Sequence, residues 1–412
     1  MRNQPIHYFD HAATTPLSEP ARAALIEHMG VIGNAGSLHT AGRTARRIHD
    51  AARIELAHAA GVDPAEIVFT SGGTEADNLA IKGLYAKRNA VPGSKPEPAV
   101  GKPARPRIIY TGIEHPAVLD VIEYLAQHHG AEPVLVLVTE DAVVDLDAWR
   151  AALAYAPERT ALATLMWANN EVGTIQPVEE AAAIAAEHGV PFHTDAVQAF
   201  GHTPTQLNNP AITTAAITAH KLGGPVGIGA LIVRRTAQLT PHIHGGGQER
   251  GLRSGTADVA SAAAFAAAAT AAQASLDQEI ERLECLREKL VHAITTTIPN
   301  ATVSGVQAAA NRASRGGNSA QQLPGIVHLS VPGAQGDSVL FLLDSLGFAT
   351  STGSACTAGM AQPSHVLLAM GRSKQDATDV QRFSMGPLTT EESVQALIDA
   401  LPGVIAQARG AG

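Results

Sequence analysis

The sequence predicts an α/β protein with a mostly parallel sheet that helices cover on both faces. Two observations support this fold class. Short apolar runs alternate along the chain with longer segments of helical periodicity, and within the apolar runs there is no regular alternation with polar residues. Strands that are buried on both faces have this composition, which is typical of parallel sheets packed between helices.

Predicted strands and helices alternate from residue 20 to residue 233. Helices are recognised by periodicity and by stop signals such as Gly61, and strands by their short apolar runs. The predicted strands are 67–70, 107–111, 133–138, 161–167, 192–196, 215–217 and 230–233. The predicted helices are 20–29, 44–60, a helix that Thr74 can cap, 116–129, 147–156 and 178–188.

A smaller α/β unit is predicted to follow. We expect one very long helix from 258 to 299, capped by Asp258 and stopped by Pro299, to link the two units. We place the large domain at 15–262, the small domain at 263–412 and an N-terminal segment at 1–14. The small unit is predicted to contain strands 326–331, 349–351 and 380–385 and helices 337–346, 363–370 and 391–401. The stretches 87–106 and 307–322 are predicted to be a flexible insertion and a mobile loop.

Composition places the chain among ordinary globular proteins. It has 412 residues, 16% charged residues and a net charge of -9, without the basic stripe that would indicate nucleic acid. The run 259–276 is too weakly apolar for a membrane span, and residues 1–6 lack the apolar core of a signal peptide. Two cysteines are too few for a disulfide framework, so we expect a reducing, cytoplasmic location.

Lys221 follows an apolar strand and precedes a turn that contains Gly223, Gly224 and Gly227. Burial at a strand end would lower the pKa of its amine, as a lysine needs to act as nucleophile and base. Most lysines beside glycine loops are solvated turn residues, so other residues must decide between the two interpretations. The segment is not a Walker loop, because there the glycines precede the lysine.

Polar residues collect at or just after the carboxyl ends of the predicted strands, where α/β sheets bind ligands. Taken singly, Asp195 could be a surface turn residue, His115 a helix-start residue and Asn170 a turn former. The glycines before Thr74 could be an ordinary β–α turn, or a helix start that binds phosphate. Together these positions predict one site formed by Thr74, His115, Asn170, Asp195, Gln198 and Lys221.

Pyridoxal phosphate is the cofactor whose requirements this set meets. It needs an amine for its aldehyde, a carboxylate at its pyridine nitrogen, a donor to its ring hydroxyl, a flat group on its ring and a phosphate cradle. In the same order, the candidates are Lys221, Asp195, Gln198, His115 and the helix start at Gly73 and Thr74. No metal site is predicted.

The two cysteines have different surroundings. Cys285 lies in a helical segment beside an apolar stripe, where a structural thiol is the better interpretation. Cys356 lies in a loop of small residues, 351–359, where a thiol can ionise and attack a substrate. An incidental loop cysteine is the alternative for Cys356.

Seven motifs follow one another along the chain, at 8–16, 69–78, 114–118, 169–173, 220–221 with its flanks, 244–256 and 351–357. In this order they resemble the cysteine desulfurases of the NifS/IscS branch, which are class V aminotransferase-like, fold-type I pyridoxal phosphate enzymes. The resemblance covers nearly the whole chain. It implies a large domain with a mostly parallel sheet of the seven-stranded type and a smaller α/β C-terminal domain.

The resemblance also implies a role for each site residue. Lys221 would bind the cofactor aldehyde, Asp195 the pyridine nitrogen and Gln198 the ring hydroxyl, while His115 would stack on the ring as an acid and base. Asn170 and Arg382 would hold the substrate carboxylate, and Cys356 would accept sulfur. The implied phosphate contacts are Gly73, Thr74, Thr218 and His220, with Thr256 reaching across from a second subunit.

The implied activity converts L-cysteine to L-alanine and leaves a persulfide on Cys356 for transfer to a protein acceptor, such as an iron–sulfur scaffold or a tRNA-thiolation protein. A homodimer is implied because Thr256 would complete the partner's site. One alternative is a selenocysteine lyase or another class V enzyme such as an aminotransferase, although an aminotransferase does not need the thiol. A non-catalytic scaffold for sulfur transfer is a second alternative.

Overall fold

The computed structural model describes residues 7–90, 103–305, 321–353 and 363–410. Most of the predicted insertion 87–106 and of the predicted loop 307–322 lies outside these ranges, as does Cys356. The strands within them are β1 His7–Tyr8, β2 Ile67–Thr70, β3 Arg107–Thr111, β4 Glu132–Val136, β5 Thr160–Thr164, β6 Thr174–Ile175, β7 Phe192–Asp195, β8 Thr214–Thr218, β9 Gly229–Val233, β10 Thr302–Ser304, β11 Gln321–Gln322, β12 Ile326–Ser330, β13 Phe348–Ala349 and β14 Val380–Ser384.

The α-helices occupy most of the chain between these strands. Several begin with a side-chain cap, as at Ser18, Asp145 and Asp258, and two end at a left-handed glycine, Gly61 and Gly130. The helices are α1 Glu19–Met29, α2 Thr40–Ala60, α3 Gly73–Asn89, α4 Pro116–His129, α5 Leu146–Tyr155, α6 Val178–Glu187, α7 Val259–Ala274, α8 Leu276–Thr297, α9 Gly336–Ser345, α10 His365–Ala369 and α11 Glu391–Gly410.

A seven-stranded sheet forms the centre of the large unit, in the order β2-β9-β8-β7-β5-β3-β4. Strand β9 is antiparallel to both of its neighbours, and the other adjacent pairs are parallel. Every residue of β5, β7, β8 and β9 is buried, which explains why these strands are not alternately polar. The predicted mostly parallel sheet is confirmed.

Helices cover both faces of this sheet. Alternate strand residues point to opposite faces, so Val68 and Ala216 pack with α3 and α4 on one face, while Ile67 and Ile217 pack with α2 and α7 on the other. The large unit is therefore a three-layer structure, and ligands are expected at the carboxyl edge of its parallel strands.

The small unit is built around a second sheet. Its strands β10, β12 and β14 are antiparallel and pack against α8, α9 and α11. Strand β1 pairs in parallel with β13, so the N-terminal segment runs beside the small unit before it enters the site.

The prediction of a single helix from 258 to 299 is wrong. The chain forms α7 and α8, which meet at an angle of 68° at Ser275. The hydroxyl of Ser275 donates to the carbonyl of Ala271, 3.1 Å away, and such a bond competes with the helical ladder and bends helices. Because α7 packs in the large core and α8 in the small one, we propose Ser275 as the domain boundary, whereas the predicted boundary after residue 262 lies within α7.

Among the helices of the described ranges, none is by itself long and apolar enough to cross a membrane. The bent pair α7 and α8 meets the criterion of length and composition only when both helices are counted together. Most of the apolar residues of α7 are buried in the protein core.

Candidate active site

The predicted site residues lie at the carboxyl ends of neighbouring parallel strands. Asp195 is the last residue of β7 and Thr218 the last of β8, and these strands are adjacent. Lys221 follows β8 by three residues, in a turn that folds back because Gly224 packs against Ala219; a Cβ at Gly224 would lie 2.6 Å from the Ala219 side chain. The sheet therefore brings a carboxyl, a hydroxyl and an amine to one edge.

The amine of Lys221 points toward the N-terminal segment. Its Nζ donates to the carbonyl oxygens of Ala12 at 2.5 Å and Ala13 at 2.8 Å. Burial lowers the pKa of Lys221 to about 8, and the positive charge of Arg382 acts in the same direction. A substantial fraction of the amine is therefore neutral near physiological pH, as a nucleophilic lysine requires.

Asp195 is a buried carboxyl. Its Oδ1 accepts a hydrogen bond from the backbone N–H of Val197 at 2.9 Å. Burial raises the pKa of Asp195, while the charges of His115 and Lys221 oppose that rise. A cationic group bound beside Asp195 would stabilise its ionised form in the same way.

His115 forms the cap of α4. Its Nδ1 accepts a hydrogen bond from the backbone N–H of Ala117 at 3.1 Å. Burial lowers the pKa of His115, more than the negative charge of Asp195 raises it. The ring is therefore neutral at physiological pH, with its proton on Nε2, the nitrogen available to a substrate or cofactor.

The start of α3 lies at the same edge, with a cap that differs from the prediction. Thr74 is exposed and is not the cap; the helix begins at Gly73 after Gly72, whose φ of 156° favours glycine. A Cβ at Gly73 would lie 2.7 Å from Cγ2 of Val197, so only glycine lets the helix start approach the strand end. The N–H groups of a first helical turn have no intrahelical acceptor and suit a phosphate.

Other predicted contacts line the same edge. The buried hydroxyl of Thr218 donates to the carbonyl of Ile228 at 3.2 Å, and Nδ1 of His220 lies 3.3 Å from Oγ1 of Thr14. Burial lowers the pKa of His220 to about 4, so its ring is neutral. Gln198 donates to the carbonyl of Ala12 at 2.8 Å, the oxygen that also accepts from Lys221.

Arg382 enters the site from β14 of the small unit. Its guanidinium donates to Oδ1 of Asp10 at 2.8 Å and to the backbone carbonyl of Asn170 at 2.9 Å. The side chain is almost fully buried, and among the described residues its Nε has no hydrogen-bond partner. The backbone carbonyl of Asn170 therefore lies next to the guanidinium of Arg382.

Two predicted residues are not brought to this edge by the described structure. Thr256 is exposed in the loop before α7. Cys356 lies outside the described residues, but Gly353 and Ser364 on either side of its segment both lie beside Glu171. Ser364 donates to Oε2 of Glu171 at 2.5 Å, and a Cβ at Gly353 would lie 3.5 Å from the same oxygen.

Several residues of the site were not found from the sequence. Asp10 lies inside a quoted motif, but its partner Arg382 is 372 residues away and no local pattern indicates the pair. Glu114 is fully buried next to His115. Its Oε1 accepts hydrogen bonds from the hydroxyl of Thr111 and from the backbone N–H of Met166, and burial raises its pKa to about 8. Its position beside His115 was the only available signal.

Comparison with known families defines the class of protein. Residues 7–397 match the family described as aminotransferase class-V. The chain belongs to this family, whose members are enzymes that share the α/β fold seen here.

Within that class, the chain belongs to the cysteine desulfurases of the IscS and NifS type. It is 44% identical over 405 residues to an IscS-like cysteine desulfurase of Mycobacterium tuberculosis, with 98% of this chain and 97% of the relative covered. A solved NifS-like protein superposes with a TM-score of 0.84 at 32% identity over 98% of this chain and all of that one. A structure described as SspA in complex with cysteine has a TM-score of 0.73 and 30% identity, with 93% and 99% covered. The predicted family and fold class are confirmed.

The residues at the sheet edge fit the cofactor that this family implies. A buried carboxyl, an amine of lowered pKa and a helix start that only glycine allows are the three groups that a cationic ring, an aldehyde and a phosphate require.

Proposed function

We propose that the protein binds pyridoxal phosphate at Lys221 and converts L-cysteine to L-alanine, leaving a persulfide on Cys356. The observation that carries the proposal is the meeting of Lys221, Asp195 and the Gly73 helix start at one edge of the sheet. Its support is the family, which includes a desulfurase 44% identical to this chain and a relative solved with cysteine bound.

The cofactor would be held by residues of several elements. Asp195 would pair with the pyridine nitrogen, Gln198 would donate to the ring hydroxyl, and His115 would lie on the ring. The first turn of α3, with Gly73 and Thr74, would bind the phosphate together with Thr218 and His220. When bound, pyridoxal phosphate supplies an electron sink that makes the substrate Cα proton acidic and weakens the Cβ–S bond.

Arg382 and Asn170 would bind the substrate carboxylate. The guanidinium is already oriented by Asp10 and by the Asn170 carbonyl, so little conformational entropy remains to be lost on binding. Its planar fork of donors can hold both oxygens of a carboxylate, which a lysine cannot do.

Lys221 and His115 would move the protons. A neutral Lys221 amine can take the Cα proton, because its pKa of about 8 is close to the working pH. His115 is neutral and offers Nε2, so it can give a proton to or take one from the substrate thiol. Burial thus shifts the pKa of both groups toward the neutral forms that these roles require.

Cys356 would accept the sulfur. Its thiolate attacks the substrate sulfur, an S–S bond forms, the Cβ–S bond breaks, and the electron pair of that bond remains with the substrate carbon until protonation gives alanine. L-cysteine and the enzyme thiol thus become L-alanine and an enzyme persulfide, with atoms and electrons balanced.

The protein is also proposed to be a homodimer that passes sulfur to another protein. Exposed Thr256 is free to reach the phosphate site of a second copy. An iron–sulfur scaffold or a tRNA-thiolation protein would serve as acceptor.

An absorbance spectrum of the purified protein, recorded before and after addition of L-cysteine, tests the proposal. We expect the visible band of a lysine-bound cofactor, a change of that band with L-cysteine, and release of alanine. A protein that shows no such band after incubation with pyridoxal phosphate, or that releases no alanine, would contradict it.

A further inference from the structure

Three buried side chains outside the proposed chemistry form one chain of hydrogen bonds. Nε2 of His193 lies 3.1 Å from Oδ1 of Asp77, and Nδ1 of His193 lies 2.9 Å from Oγ1 of Thr214. All three side chains are buried, and His193 is fully inaccessible to solvent. These hydrogen bonds connect α3 to β7 and β7 to β8.

Each member lies close in sequence to a residue proposed to hold the cofactor. Asp77 is four residues, about 6 Å along the helix axis, beyond Gly73 at the start of α3. His193 precedes Asp195 by two residues on β7, so both side chains point to the same face of the sheet, about 6.6 Å apart along the strand. Thr214 and Thr218 share that face of β8 in the same way.

Burial disfavours charge on this chain of hydrogen bonds. It lowers the pKa of His193 to about 3 and raises the pKa of Asp77 well above its usual range, with the charges of Asp195 and Glu114 acting in the same direction on Asp77. Each ring nitrogen of His193 has one polar partner, Asp77 at Nε2 and Thr214 at Nδ1.

We infer that Asp77 and His193 are positioning residues that set the distance between the phosphate-binding start of α3 and the carboxylate of Asp195. The inference rests on the proposed cofactor. Pyridoxal phosphate must contact both places at once, so a tie between α3 and β7 matters for a ligand with a phosphate and much less for one without it. The phosphate-free compound pyridoxal is therefore the matched probe.

Titration of the full-length apoprotein with pyridoxal phosphate and with pyridoxal tests the inference. For Asp77→Ala, which leaves Nε2 of His193 without its partner Asp77, we expect pyridoxal phosphate to bind about tenfold or more weakly, the loss expected for one buried hydrogen bond. Pyridoxal should bind within about twofold of the wild-type affinity, because Lys221 and Asp195 remain in place.

Two further variants separate positioning from general stability. Asp77→Asn keeps a hydrogen-bond partner for Nε2 and nearly the same shape, so both affinities should stay within about threefold of wild type. Thr214→Val removes the hydrogen-bond partner of His193 Nδ1 with little change in side-chain volume. If Asp77→Ala does not fold, Thr214→Val serves in its place, and it should show the same selective loss of affinity for pyridoxal phosphate.

Equal losses for the two ligands, or none for either, would overturn the inference, because a merely structural Asp77 would lower thermal stability without selecting against the phosphate. Failure of the wild-type protein to bind pyridoxal phosphate would instead show that the proposed cofactor is wrong, and the inference would fall with it.

Discussion

The Nζ of Lys221 lies 2.5 Å from the carbonyl oxygen of Ala12, a residue 209 positions earlier in the chain. Gln198 donates to the same oxygen. The N-terminal segment is therefore part of the site, held on one side by β13 through β1 and on the other by the lysine turn.

The first prediction concerns the pH dependence of cofactor capture. A lysine with a pKa of about 8 is roughly one tenth neutral at about pH 7 and nine tenths neutral at about pH 9. Since only the neutral amine attacks an aldehyde, the rate at which apoprotein captures pyridoxal phosphate should rise about tenfold over that interval and then level off. Stopped-flow absorbance measures this rate. A rate that continued to climb tenfold per unit above about pH 9 would show an unperturbed lysine, and Lys221→Ala is the control that should give no covalent band.

The second prediction concerns Arg382. Arg382→Lys replaces a planar fork with a single ammonium that cannot serve Asp10, the Asn170 carbonyl and a substrate carboxylate together. We expect the KM for L-cysteine to rise about tenfold to a hundredfold, with a smaller change in kcat. Steady-state alanine release measures both constants. The exposed Arg372→Lys is a matched control and should leave them unchanged, whereas an unchanged KM for Arg382→Lys would assign the carboxylate to another residue.

The third prediction concerns packing beneath the site. A Cβ at Gly386 would overlap the ring of His11, which is buried and cannot move aside freely. Gly386→Ala should therefore lower the free energy of unfolding by about 1–3 kcal/mol. Urea titration measures the change. Gly403→Ala is the control, because Gly403 lies in α11 with open space around it, and there alanine should raise the free energy of unfolding by about 0.5–1 kcal/mol. Equal stabilities of the two variants would contradict the packing described here.

Much of the fold could be predicted from the sequence because its signals are local. The buried strand of residues 67–70 and that of residues 107–111 coincide with the predicted runs, and Gly61 ends α2 as expected. Thr74 shows where local reasoning fails. Its side chain could cap a helix, but the cap is Gly72, two residues earlier, and Gly73 packs closely against Val197, more than 100 residues away.

The candidate site divides in the same way. The order of strands places Asp195 and Lys221 at one edge, and both follow apolar runs that are visible in the sequence. The partners that orient the site residues come from distant parts of the chain, as Asp10 does for Arg382 and Asp77 for His193. Such pairs depend on tertiary packing. The bend at Ser275 accompanies a hydrogen bond from its hydroxyl to the carbonyl of Ala271, and no Gly or Pro at this position indicates a bend in the sequence.

Transfer of the sulfur of L-cysteine to Cys356 can be measured directly. Cofactor-loaded protein is mixed with about one equivalent of L-cysteine and quenched, and both the alanine formed and the mass of the peptide that contains Cys356 are determined, with Cys356→Ser in parallel. We expect one sulfur added to that peptide for each alanine in the wild type, and a retained cofactor band without added sulfur or turnover in Cys356→Ser. Full turnover by Cys356→Ser, or alanine formed while the Cys356 peptide stays unmodified, would contradict it.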